Sequence, residues 1–249
     1  MVDWQKFWDR SSQAEDLVQA DGYTEQGRLL SRGQIESVQD DIQRKLALKP
    51  ADSLLEVGCG AGLQLKYAAR ITLDLAAADY AFGMISAARR NVTELKCAFV
   101  AEAGALPLAD NMFDKVLCYS ACHYFPDYSY AELAVAEMIR VCKPGGTVLI
   151  GDIPDLDRKE QYLDYLAEYT RNLALLPRIG LALSRCKNFI LGRKKVRQVN
   201  ELLYSRNFFP DFIQANFSSV TIQIEEQAGV MRILAQRKLR YDVIIHKGS

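Results

Sequence analysis

This chain of 249 residues carries no excess charge of either sign: 31 Lys and Arg balance 31 Asp and Glu. A net charge of zero removes any global pull toward nucleic acid or an anionic surface. The six cysteines form no CxxC pair. Cys118 and Cys122 come nearest, with no partnering cluster, so no metal site is expected. Cysteines set mostly in apolar runs read as small core residues of a reducing compartment. Only two histidines, His123 and His246, are available for proton transfer at neutral pH. No run approaches 18 apolar residues, and the first ten residues, MVDWQKFWDR, contain no apolar stretch of the kind that targets a chain for export. The chain is therefore expected to be cytoplasmic.

What is present is ordinary globular material, 49% hydrophobic and 25% charged. Residues 3–10 and about 24–48 carry apolar side chains at helical spacing, and Pro50 closes the second segment. From there strands and helices alternate: SLLEV, a helix over 63–69, LDLAAAD, a helix over 83–91, CAFVA, DKVLCYS, a helix over 130–141, and TVLIGD. Such alternation predicts βαβ units, hence an α/β fold with a doubly wound, mostly parallel seven-stranded sheet covered by helices on both faces. Between about 153 and 215 the pattern turns helical without strands. SSVTIQIEE and LRYDVIIHK then alternate as a closing antiparallel pair. One domain is expected over 1–249, with an N-terminal helical lid over 1–49 and a helical insertion over 153–215 as an acceptor cap.

The sharpest local feature is LLEVGCGAG, residues 54–62, where a buried strand breaks into glycine at every second position. In a parallel sheet, ligands sit at the carboxyl ends of the strands where the strand order reverses. Glycine there lets a ligand approach the main chain. A dinucleotide fingerprint needs GxGxxG, but Leu63 stands where the third glycine belongs. GxGxG with Glu56 two residues before Gly58 suits a ligand with an amino-acid end in place of a pyrophosphate.

On these residues the chain resembles the class I S-adenosylmethionine-dependent methyltransferases, the small-molecule type with an LPF-like loop, over about residues 50–152. E-V-G-C-G-A-G is similar to their first motif, which implies cofactor contacts at Glu56, Gly58, Cys59, Gly60 and Gly62. Asp79, ending the second strand, falls where the family places an acid on the ribose hydroxyls, and a carboxylate can accept from both hydroxyls of a cis-diol. Tyr80 and Met84 resemble the residues beside the adenine. Glu102-Ala103-Gly104-Ala105-Leu106-Pro107-Leu108 is similar to the family's D-A-x-x-L-P-F, with Glu102 in place of the usual Asp as acceptor from the adenine amino group and Ala103 beside it. CYSACHYF, residues 118–125, resembles the segment under the methionine portion, with Tyr119 and Ser120 as lining residues. Glu137 to Gly146 is similar to E-x-x-R-V-L-K-P-G-G, which is architectural, as is Asp114.

The resemblance implies transfer of a methyl group from S-adenosyl-L-methionine to oxygen or nitrogen of a small-molecule, glycan or lipid-linked acceptor. His123 and Asp152, at the carboxyl ends of the fourth and fifth strands, are the candidate catalytic groups. No (D/N)-P-P-(Y/F) and no Pro-Cys occurs, so the amino-methylating and cytosine-5 designs are set aside. Trp4, Trp8 and Tyr23 are candidates for a lid over the site. Tyr169 to Asn200 holds eight Arg and Lys and no acid. Arg193, Lys194 and Lys195 there suggest an anionic acceptor or contact with an anionic membrane surface, against the plainer reading of a solvated face. No nucleic-acid module is recognisable. Two other readings stand beside the first: a nicotinamide-dependent oxidoreductase on a similar sheet, and a non-catalytic relative that keeps the cofactor site.

Overall fold

The computed structural model describes residues 3–25, 28–164, 201–227 and 239–248. Two short helices, α1 (Trp4–Ser11) and α2 (Leu17–Ala20), precede a two-stranded hairpin, β1 (Thr24–Glu25) and β2 (Arg28–Leu29), and then α3 (Arg32–Leu46). The expected helix over 24–48 is thus confined to its second part. Its start is set by Ser31, whose hydroxyl accepts from Gln34 N at 3.3 Å while Gln34 Oε1 accepts from Ser31 N at 2.8 Å. That reciprocal cap satisfies two amides a helix start leaves open, so the turn forms here and not seven residues earlier.

The rest follows the expected alternation: β3 (Ser53–Val57), α4 (Leu63–Ala68), β4 (Asp74–Asp79), α5 (Phe82–Asn91), β5 (Leu95–Val100), β6 (Phe113–Tyr119), α6 (Tyr128–Val141) and β7 (Cys142–Pro154). After α7 (Phe208–Asn216) come β8 (Val220–Glu226) and β9 (Arg240–Lys247). The sheet order is β5-β4-β3-β6-β7-β9-β8. β3 to β7 run parallel, and β9 is antiparallel to both β7 and β8. Of the helical insertion expected over 153–215, residues 153–164 and 201–215 are described, with a 3₁₀ turn over Leu156–Arg158 and α7. Arg193, Lys194 and Lys195 lie outside the described residues.

The sheet is buried on both faces because its strands are apolar at successive positions, each sending alternate side chains to opposite sides. Leu54, Leu75, Leu117 and Leu149 pack under α3, with Ile35, Val38, Ile42 and Leu46 above them. Leu55, Ala76, Val116 and Val148 pack on the other side against Ala131, Val135, Met138 and Ile139 of α6, with Phe209 and Ile213 of α7. Four of the five described cysteines are buried, as expected of small core residues, while Cys97 is exposed.

Two polar devices hold loops and ends. Arg140 pairs with Glu137 at 2.7 Å and donates to Leu108 O at 2.7 Å, while Glu137 accepts from Leu106 N at 2.7 Å. The E-x-x-R pair thus pins the Leu106–Asp110 loop, which is its architectural role. In the core, Lys45 of α3 pairs with Asp41 at 2.7 Å and with Asp242 of β9. No helix among the described residues is long and apolar enough to cross a membrane.

Candidate active site

The strand order reverses between β3 and β6, where the carboxyl ends of β3, β4 and β6 open onto a cavity of about 840 Å³. Glu56, Gly58, Cys59, Gly60, Asp79, Tyr80, Met84, Glu102, Ala103, Tyr119 and Ser120 line it, with Trp4, Trp8 and Tyr23 from the N-terminal segment. Residues far apart in sequence meet because each follows a strand that ends at this edge.

Of the three glycines, two face the cavity and one does not. Gly60 takes φ +54°, and its N–H donates to Asp79 Oδ2 at 3.0 Å. A methyl group on Gly60 would stand 2.4 Å from Asp21 Oδ1. Gly62, also expected to touch the cofactor, is not on the cavity wall. It has φ +93° and lies against α5, where an added Cβ would stand 3.0 Å from Val92 Cγ2. Its small size serves the packing of α4 on α5, away from the described wall.

Asp79 accepts from Gly60 N and, through Oδ1, from Ala81 N at 2.9 Å. Each of its two oxygens retains acceptor capacity beyond these bonds. Burial raises its pKa to about 6, against the lowering pull of those amides. Glu56 is 1% exposed, and its Oε2 has no hydrogen-bond partner among the described residues. Burial first, then the charges of Asp21 and Asp79, hold its pKa well above the usual carboxylate value. A buried, unsatisfied acceptor on a cavity wall is costly unless a ligand donates to it.

Two residues outside the expected set complete this edge. Asp21, at the end of α2, accepts from Ala61 N at 2.5 Å and Leu63 N at 2.9 Å and lies on the cavity wall. Burial lifts its pKa to about 7, with a further push from Asp79. In the sequence it stands directly before Gly22, and no local signal marks it as part of a site. Tyr130 donates to Glu102 Oε2 at 2.5 Å, so the expected adenine acceptor is held by a hydroxyl from α6. The neighbouring Tyr80 hydroxyl is buried without a partner among the described residues.

The lid candidates divide. Trp4 and Trp8 pack on Tyr124, with ring centroids 4.7 and 5.3 Å apart. Tyr23 is 2% exposed in the core under α3, its hydroxyl bonded to Gln64 Nε2, so it anchors the segment more than it covers the cavity.

Neither candidate base reaches the wall. The His123 side chain is buried against the Tyr124 ring, centroids 4.1 Å apart, and it does not line the cavity. Asp152 is also off the wall, and its carboxylate is committed to structure. It accepts from Ser120 Oγ at 2.5 Å, Gln227 Nε2 at 3.0 Å and the buried Arg240 guanidinium at 3.0 Å. The topology brought both to the correct sheet edge, but the 3₁₀ turn over Cys122–Tyr124 and the Arg240 pair hold them away from the opening. Both expected proton-transfer groups therefore stand off the described wall.

Among the described residues the wall carries seven carboxylates, Asp3, Asp21, Glu56, Asp79, Glu102, Asp127 and Glu201, and no Lys, Arg or His. The glycine cradle, the unsatisfied Glu56 oxygen and the acidic wall all fit a cationic ligand with an amino-acid end.

Comparison with known proteins gives the same answer from outside. Residues 55–150 match the family described as "Methyltransferase domain". A demethylmenaquinone methyltransferase of Renibacterium salmoninarum is 31% identical over 125 residues, covering 50% of this chain and 51% of that protein. The chain thus spans about half the length of that curated relative. Among solved structures, the N-methyltransferase NodS of Bradyrhizobium japonicum, in complex with S-adenosyl-L-homocysteine, superposes with a TM-score of 0.62 at 13% identity, covering 98% of each chain. Phosphoethanolamine N-methyltransferase 1 of Haemonchus contortus reaches 0.65 at 12% identity, over 98% of this chain and 48% of the other. These likenesses carry the fold, and the family match to 55–150 favours methyl transfer over the nicotinamide-dependent alternative. With motif, cradle and family match in agreement, residues 55–150 form a methyltransferase domain.

Proposed function

We propose that this protein transfers a methyl group from S-adenosyl-L-methionine to an oxygen or nitrogen of a small-molecule acceptor. The observation that carries this is the meeting of the Gly58–Gly60 cradle, Asp79 and the unsatisfied Glu56 oxygen in one cavity of about 840 Å³. Asp79 and Glu102 are assigned to the ribose and adenine ends. Tyr80 and Met84 flank the base, and Cys59, Tyr119 and Ser120 support the remainder. The cofactor supplies an electrophilic methyl group on a sulfonium with a good leaving group, so this chain's residues need only position, desolvate and exclude water. Positioning of that kind is worth up to about 7–11 kcal/mol. Trp4 and Trp8 supply the dry cover.

The acceptor is read as neutral or cationic, since the charged side chains on the described wall are all acidic. An anionic acceptor rested on the basic stretch from 169 to 200, whose residues lie outside the described ones. A demethylmenaquinone methyltransferase among the relatives supports a small-molecule acceptor.

Incubation with labelled cofactor and fractionated metabolites tests the reading, with Asp79→Ala as control. Asp79→Ala is expected to lose about 10- to 100-fold in cofactor affinity, the scale of a hydrogen bond to a charged group. Transfer to no acceptor in any fraction removes the enzyme reading. Wild-type affinity in Asp79→Ala removes the ribose assignment.

A further inference from the structure

Asp21 has no assigned role in the reaction, yet three observations set it at the heart of the site. Its carboxylate bridges the amides of Ala61 and Leu63, tying the N-terminal segment to the glycine loop. Gly60 leaves the space that carboxylate occupies, since a Cβ there would stand 2.4 Å from Asp21 Oδ1. It shares the cavity edge with Asp79, and the buried Glu56 beside them has an oxygen without a partner among the described residues.

Three carboxylates from three elements therefore crowd one end of the cavity. The titratable groups around them only add to the negative field. Asp21 feels Asp79, Glu56 feels both, Asp79 feels Asp9 of α1, and the buried Cys59 thiol is pushed up by burial and by all three. No cation on the described wall offsets them. A cluster of like charges out of water is stable only when protonated or when a positive ligand joins it.

We infer that Asp21 is a cofactor-binding residue delivered by the N-terminal segment, and that with Glu56 and Asp79 it makes the site select the charged cofactor over its product. The inference rests on the proposed function and deepens it. S-Adenosylmethionine and S-adenosylhomocysteine differ by one methyl group and one positive charge. A carboxylate that favours that charge binds the cofactor and releases the product. Because Asp21 also fastens residues 3–23 to the loop, charge recognition and closure of the N-terminal segment depend on one side chain.

Isothermal titration with S-adenosylmethionine, S-adenosylhomocysteine and the amine analogue sinefungin, from pH 5.5 to 8, tests this without turnover. In the wild type the two cationic ligands are expected to bind about tenfold or more tighter than S-adenosylhomocysteine at pH 8. The ratio should shrink toward one at pH 5.5, where the carboxylates are protonated. Asp21→Asn keeps one oxygen for the loop amides and removes the charge. It is expected to retain S-adenosylhomocysteine affinity within about threefold and to lower the cofactor-to-product ratio about tenfold, as one pKa unit of interaction implies. A ratio equal to wild type overturns the inference. Should Asp21→Asn fail to fold, the wild type decides: at pH 6.5, in buffers of different ionisation heat, cofactor binding should release more protons than product binding, and equal release overturns the inference. If the wild type binds none of the three, the cofactor reading falls and this inference with it. If it binds cofactor and product equally at every pH, only the inference falls.

Discussion

At the scale of single residues, the site is a balance between backbone shape and carboxylate charge. Gly60 is constrained on two counts. Its φ of +54° is one that other residues enter at a cost of about 1–2 kcal/mol. The carboxylate of Asp21 fills the place of its missing side chain. Gly60→Ala is expected to displace Asp21 from the Ala61 and Leu63 amides, lower stability by at least that amount in urea denaturation, and weaken cofactor binding in titration. Gly62→Ala is expected to cost stability by crowding Val92 and Ala88 but to spare cofactor affinity in the fraction that folds. A loss of affinity equal to that of Gly60→Ala would return Gly62 to the site.

At the scale of elements, α1 explains why the N-terminal segment matters. It is too short to be stable alone. It is capped by Asp3, which accepts from Lys6 N at 3.1 Å, and stacks Trp4 and Trp8 on Tyr124. Those aromatic pairs are worth about 0.5–1.5 kcal/mol each beyond the area they bury. Trp8→Ala is expected to lower cofactor affinity several-fold while shifting the melting temperature by only a few degrees. Unchanged affinity would mean that α1 is packing and not cover. The 3₁₀ turn that follows β6 and β7, whose last residues lie against it, show why histidine and aspartate at the correct sheet edge were not enough. Asp152 takes φ +62° and Ser120 φ +57°, and the two hydrogen-bond each other. The strand ends are spent on holding shape.

At the scale of the whole molecule, the N-terminal and C-terminal parts are joined through charge. Lys45, with a fully buried ammonium, pairs with Asp41 on its own helix and with Asp242 of β9 across the sheet face. Asp242 in turn accepts from Asp152 N at 2.7 Å at the end of β7. Removing one member of such a buried cluster leaves an uncompensated charge, at about 3–5 kcal/mol. Lys45→Met is expected to destabilise by that amount at pH 8. Burial already raises the pKa of Asp242 to about 6, with Lys45 pulling the other way. Without Lys45 that pKa rises further, so Asp242 is protonated when folded at low pH. The loss should therefore shrink as pH falls from 8 to 5, as chemical denaturation at each pH would show. A loss independent of pH would mean that packing of the lysine stem, not its charge, is what counts.

Local chemistry settled much of this in advance. Apolar strands broken by glycine and helices at regular spacing specify themselves through near neighbours, so the sheet and its strands were readable from order and spacing, while Asp79 and the E-x-x-R pair were readable through the family resemblance. The start of α3 was misjudged because the choice between hairpin and helix over residues 24–31 rests on a cap that apolar spacing does not register. Asp21, Tyr130 and the Lys45–Asp242 pair were invisible for a different reason. Their partners stand 40, 28 and 197 positions away. Which long-range pairs form depends on how the layers close, and that closure also left His123 and Asp152 off the described wall, whose charged side chains are all acidic.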